Sequence, residues 1–221
     1  MLGIYVTVPV ACFRKGMARE YLETEPLPPP ATCYGFLLSL VGEMDRRRHV
    51  GARVAPVLLN QPNQSVVLRT VWRVKKTPLG SSGNTRPDYQ QLLSGPSADE
   101  PFLSLLLWLD STDETASPHL EERVSQALTR PESVTRFGGL SLGESTHLVD
   151  EVCLWDRVRD RFRGREGRAF LTREDERGRL TLPVWVDHVG SAGTRYAVGD
   201  LASSTLEPPS PLRMPRVHFE G

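Results

Sequence analysis

The chain opens on a clean alternation. Leu2, Ile4, Val6, Val8 and Val10 fall on one side, and Gly3, Tyr5, Thr7 and Pro9 on the other. Period two of this kind predicts a strand with one buried face. A long loop follows and ends in Pro28-Pro29-Pro30. Proline fits a first helical turn, so ATCYGFLLSLVGE reads as a helix that stops near Gly42. Tyr34, Leu37, Leu38 and Val41 make one stripe along it, and Cys33, Phe36 and Leu40 add a second. This helix is expected to be buried on most sides. Residues 53–60 read as a short strand. In SVVLRTVWRVKK, Val66, Leu68, Trp72 and Val74 share one face with Thr70, while Arg69, Arg73 and Lys75 share the other with Val67 and Val71. A strand with one basic face can lay cations along a phosphate backbone, or can simply be solvated there.

Residues 77–100 are rich in Gly, Ser, Pro, Asn and Asp, the composition of a long functional or disordered loop. FLSLLLWLD then returns as a continuous apolar run of central-strand length. A helix is predicted next, capped by Ser117, with Pro118 at its first position and a core stripe of Leu120, Val124, Ala127 and Leu128. THLVDEVCLW reads as a further strand. The order strand, helix, strands, helix, strand predicts an α+β fold, a ferredoxin-like (RRM-like) βαββαβ domain over residues 1–155. One strand is surplus, and 65–76 is expected to run out of the sheet into an insertion. Residues 156–179 read as a charged linker or solvated helix, LTLPVWV and TRYAVGD as short strands of a small C-terminal β-rich extension reaching 221, and the proline-rich tail as loosely attached.

Composition narrows the function. The 221 residues carry 27 Lys+Arg against 27 Asp+Glu, a net charge of zero. The charges are unevenly spread: residues 1–98 hold 12 basic against 6 acidic, and residues 99–160 hold 5 against 13. Such a chain suits a subunit that touches polyanion on one side and protein on another, although surfaces are also patchy by chance. Only Lys15, Lys75 and Lys76 are lysines, and arginine suits phosphate forks and base stacking. Cys12, Cys33 and Cys153 lie far apart, with no zinc-ligand spacing and no disulfide framework, so no metal or cofactor is expected. MLGIYVTVPV lacks a basic leader and a cleavage site, and no apolar run is long enough to span a bilayer. The expectation is a cytoplasmic protein with no membrane partner.

One stretch, RFGGLSLGES at 136–145, carries candidate chemistry. Gly138, Gly143 and Ser145 fit the frame of a phosphate-binding loop, but Glu144 stands where that loop needs lysine, and a strand-like segment follows where it needs a helix. Two readings remain. One is a plain chain reversal. The other is a loop in which Gly138, Gly139 and Gly143 let a nucleic-acid backbone approach while Ser141, Ser145 and Arg136 meet phosphates.

PPPATCYGFLLSLVGE at 28–43 and RFGGLSLGESTHLV at 136–149, in this order and on this unit, resemble the fifth CRISPR-associated protein family. Its members cap the 5′ handle of the guide RNA in Cascade-type (type I) effector complexes. The resemblance covers about residues 1–155. It implies a non-catalytic RNA-binding subunit that joins the backbone subunits to the large subunit inspecting the protospacer-adjacent motif, and so meets target DNA indirectly. It also implies a hairpin thumb at about 75–101, carrying Lys75, Lys76 and Arg86, and a handle-binding loop at 136–145. Arg14, Lys15 and Arg19 would lie near RNA, with Arg69 and Arg73 on the basic strand. One branch of the family cuts precursor guide RNA without metal, using tyrosine, lysine and histidine. None of His49, His119, His147, His188 and His218 adjoins a lysine in sequence, but His147 beside Tyr21 stays open as a spatial pairing. A protein-only interaction module docking through the acidic 99–160 segment is a further alternative.

Overall fold

The computed structural model describes residues 1–16, 21–72, 85–173 and 177–219. In chain order the elements are β1 (Leu2–Val8), β2 (Val10–Ala11), β3 (Tyr21–Leu22), α1 (Pro30–Leu40), β4 (Arg53–Leu58), β5 (Asn63–Trp72) and β6 (Thr85–Ser94). They continue as β7 (Leu103–Asp110), α2 (Leu120–Thr129), β8 (Glu151–Leu154), β9 (Gly167–Thr172), β10 (Leu180–Trp185) and β11 (Arg195–Ser204). The main sheet has the order β10-β11-β9-β4-β7-β1-β8 and is antiparallel throughout. Its β8-β1-β7-β4 portion, with α1 and α2 as the crossovers, is the ferredoxin-like unit that the sequence predicts.

The expected segment boundaries shift in three places. The surplus strand does leave the main sheet: β5 pairs with β6 from Asn63↔Ser94 to Trp72↔Thr85. The hairpin thus starts before residue 75. Residues 73–84, including Arg73, Lys75 and Lys76, lie outside the described residues, as does Arg19. The supposed linker contains β9, which pairs with β4 through Val57↔Ala169 and so continues the body sheet. The apolar AFL of GREGRAFLT carries this strand inside an otherwise charged stretch: Ala169, Phe170 and Leu171 are buried. The tail is anchored as well. Met214 and Val217 are buried, and backbone bonds run from Val54 N–H to Pro215 O (3.0 Å) and from Val217 N–H to Ala52 O (2.8 Å).

Both faces of the sheet are covered. Ile4, Val6, Val8, Leu105, Leu107 and Leu109 pack beneath α1 and α2. Tyr5, Leu106, Trp108 and Ala55 pack on the opposite side with Trp155, Phe162, Leu206 and Met214. The alternation in β1 thus does not mark a solvated face. Tyr5 lies 5.7 Å from Phe162 between ring centroids. A Cβ on Gly3 would come within 2.8 Å of Trp155 Cβ, so the small residue makes room for that cover.

The helix ends also obey local chemistry. Gly42 (φ +68) ends α1, with its N–H on Ser39 O (3.2 Å) and the Glu43 N–H on Leu38 O (2.9 Å), a Schellman closure. At α2 the expected Ser117 cap is absent, because the helix begins at Leu120. Glu114 and Ser111 cap it instead. The Leu120 N–H donates to Glu114 Oε2 (3.0 Å) and the Glu121 N–H to Ser111 Oγ (3.1 Å). Buried Glu114 also bonds His49 (2.8 Å), and Arg123 reaches both His49 and Glu43. Burial pushes the Glu43 carboxyl up, but the Asp45 N–H and Arg123 outweigh it and hold the group at about 2. One polar network thus ties the exit of α1 to the start of α2.

Candidate nucleic-acid interface

The glycine loop is a surface feature hung on two buried side chains. Leu142 is fully buried, and His147 nearly so. Between and before them, residues 136–139, 143, 145 and 146 are exposed. The loop closes on itself through the Ser141↔Leu148 bridge, with Leu142 N–H on His147 O (3.1 Å) and Val149 N–H on Leu140 O (3.0 Å). It then enters β8. A nucleotide loop needs a helix at this point to aim N–H groups at phosphates, so this geometry is not one.

Three segments distant in sequence meet at the loop. The Cys12 N–H donates to His147 Nδ1 (3.1 Å), and a Cβ on Gly143 would come within 2.8 Å of Cys12 O. Arg69, on β5 of the hairpin opposite Asp88, pairs with Glu144 (3.1 Å) and bonds Gln90. Phe13 N–H donates to Thr24 Oγ1 (2.9 Å), and Thr24 N–H to Gln91 Oε1 (3.0 Å). The N-terminal loop, the hairpin and the glycine loop thereby share one junction. Burial lowers the His147 pKa; nearby Glu144 raises it less and Arg69 lowers it further. The ring is neutral at pH 7, as an acceptor from a backbone N–H must be.

The expected site residues divide accordingly. Arg14 bridges Thr24, and Lys15 lies 3.9 Å from Glu23 with its side chain 43% exposed. Both stand at the junction beside Cys12. Arg136, Gly138, Gly139 and Ser145 are exposed on the loop, and Ser141 is half-buried. Arg69 differs from expectation: its guanidinium is engaged by Glu144 and Gln90. Glu144 stands at the lysine position of the nucleotide frame because it is the loop's ion-pair partner for the hairpin. Arg86 lies on β6. His147 is committed to Cys12, and the Tyr21 hydroxyl to Gln91 (3.1 Å). Among the described residues, no cluster of His, Cys, Asp and Glu has the makings of a metal site.

Sequence reasoning missed several residues here. Phe137 stands fully in solvent on the loop, although its place in R-F-G-G could have marked it. Arg46, first of a three-arginine run, donates to Val186 O (2.8 Å) and lies 4.2 Å over the Trp185 ring. Together with α1 and the glycine loop, these residues line a cleft of about 880 Å³. The hairpin adds a different surface. Val66, Leu68, Tyr89 and Tyr21 are all exposed, and the two tyrosine rings lie 6.5 Å apart. Val66 and Leu68 of the apolar face of β5 are thus open to solvent.

No family model matches the chain. A curated relative from Myxococcus xanthus (strain DK1622), named CRISPR-associated protein Cas5, is 52% identical over 221 residues, covering 98% of this chain and 97% of that one. A solved chain titled "CRISPR RNA-guided surveillance complex" matches with a TM-score of 0.60 at 11% identity, over 92% of this chain and 89% of that one, a likeness of fold. Another, titled "Crystal structure of Cas protein", matches with a TM-score of 0.49 at 14% identity, over 97% and 98% of the two chains. At 52% identity over nearly its whole length, the chain belongs to the CRISPR-associated Cas5 family.

Proposed function

We propose that the protein is a non-catalytic, cytoplasmic RNA-binding subunit of a type I CRISPR surveillance complex. It caps and holds the 5′ handle of the guide RNA, and it links the backbone subunits to the large subunit that reads the protospacer-adjacent motif. The observation that carries this reading is the convergence of the N-terminal loop, the hairpin and the glycine loop at one junction, with Arg14 and Lys15 beside it and Arg136 exposed on the same glycine loop. Exposed cations and close-approach glycines suit a single strand held by its phosphates. The exposed apolar surface of Val66, Leu68 and Tyr89 on the hairpin, with Tyr21 of β3 beside it, fits contact with a neighbouring backbone subunit. Two histidines are withdrawn from RNA-cleaving chemistry. His147 is neutral, buried and engaged, and His49 is fully buried against Glu114. Neither stands ready to deprotonate a 2′-hydroxyl.

Co-expression with the neighbouring subunits and a CRISPR array, followed by sequencing of bound RNA, tests this reading. Guides sharing one intact 5′ end are expected. RNA bound and then shortened without metal would instead identify a nuclease. A complex carrying no RNA at any salt concentration would leave a protein-interaction module.

A further inference from the structure

Phe137 contributes nothing to the core, since its side chain is 101% exposed. Such a ring gains free energy only when something covers it. It stands on one wall of the cleft described above. The opposite wall comes from α1, whose Ala31, Gly35 and Ser39 follow one another at helical spacing. They keep that wall flat, and a Cβ on Gly35 would meet nothing within 4 Å. Trp185 closes the side. The volume, about 880 Å³, lies within the range of roughly 300–1,000 Å³ typical of small-ligand sites.

Charge identifies the occupant. Arg136 and Arg46 line the cleft, and the acid among the lining residues, Glu43, is held by Arg123 and Arg48. An apolar space with cations at its rim and its carboxylate already neutralised favours a flat, anion-bearing guest. Beside the ring, Gly138 takes φ +78 and has open space where a Cβ would stand, so a chain can pass close to the loop.

We propose that the cleft takes one unpaired nucleobase of the bound RNA, stacked on the face of Phe137, with a flanking phosphate at Arg136. This rests on the RNA-binding reading and adds a base-holding position to the phosphate contacts. Stacking tolerates any base, because every base has a π-face. The position fixes register along the strand without selecting sequence.

The test uses the full chain and single-stranded RNA matching the 5′ end of guides recovered from co-expression, with 2-aminopurine placed at each position in turn. Quenching on binding is expected at one position. Phe137→Ala should abolish that quenching and weaken binding roughly ten- to hundredfold. The slope of affinity against salt should not change, because no charge is lost. Phe137→Trp should retain both signals, and Phe137→Leu should behave like Phe137→Ala. Wild-type affinity and quenching in Phe137→Ala, or wild-type behaviour in Phe137→Leu, would overturn the stacking role while leaving RNA binding intact. Unchanged RNA affinity in Phe137→Ala with loss of another subunit from the complex would assign Phe137 to protein docking, and would also overturn it. Failure of the wild-type chain to bind the RNA at low salt would overturn both this inference and the reading beneath it. Full exposure of Phe137 makes misfolding of these variants no obstacle, and circular dichroism checks it.

Discussion

At the scale of single residues, the glycine loop depends on a neutral histidine. Burial favours the uncharged His147 ring, so its folded pKa lies below the unfolded value near 6.5. The stability it contributes is complete above that value and is lost as pH falls towards the folded pKa. Acidification from about pH 7 to 5 should therefore weaken the wild type. In His147→Gln the amide oxygen can accept the Cys12 N–H without titrating, and the dependence should flatten. Parallel pH profiles from chemical denaturation would refute this account. The glycines separate by geometry. Gly143→Ala combines φ +100 with a Cβ 2.8 Å from Cys12 O, and should cost about 1–3 kcal/mol. Gly139 has no left-handed φ, and its Cβ would meet only the exposed Leu148 side chain at 3.3 Å, so Gly139→Ala should stay within about 0.5 kcal/mol. The sequence presents these positions alike as open glycines; only the backbone path distinguishes them. Calorimetric melts of the two variants measure the difference.

Among the elements, the hairpin is less detachable than its composition implies. A turn-rich 80–96 reads as removable, but β6 runs through it and pairs with β2, β3 and β5. Leu93 is 3% exposed within the main core. Leu93→Ala should destabilise the whole protein by about 2–4 kcal/mol, as truncation of a core residue does. A change below about 0.5 kcal/mol would show that the hairpin folds independently. Arg123 makes a parallel case between helices. Arg123→Ala would leave Glu43 and His49 short of a buried partner and should cost about 3 kcal/mol. The strands and helices themselves were legible because their apolar periods are strong and their proline and glycine signals stand at the ends. The α2 cap was not, because Glu114 reaches the helix from outside the local capping frame. The role of Glu144 was hidden for a similar reason. Its partner Arg69 lies 75 positions away in sequence, and no local pattern records such a pairing.

At the scale of the whole molecule, the resemblance that ends near residue 155 does not mark a domain boundary. The charged composition of 156–179 hides β9, whose apolar positions are few but lie against β4. Beyond residue 155 the described chain places Phe162, Phe170, Leu171, Leu182, Trp185, Leu206, Met214 and Val217 in the two cores. Fully burying each large apolar side chain contributes about 1.5–3 kcal/mol. Net stabilities of domains are only about 5–15 kcal/mol, so removing this set exceeds what the remainder can lose. Arg53 adds a polar tie, since it bonds Asp113 (2.6 Å) and Met214 O (3.3 Å) and so pins the tail beside β4. Residues 1–155 expressed alone should therefore aggregate or lack a cooperative melt, while the full chain melts in one transition. A soluble 1–155 fragment with wild-type circular dichroism and a cooperative transition would make the C-terminal strands an accessory. The expected outcome makes them part of the floor on which α1, and with it one wall of the cleft, is set: Trp185 and Val186 face α1 from β10 and the residue that follows it, and Arg46 spans the gap between them.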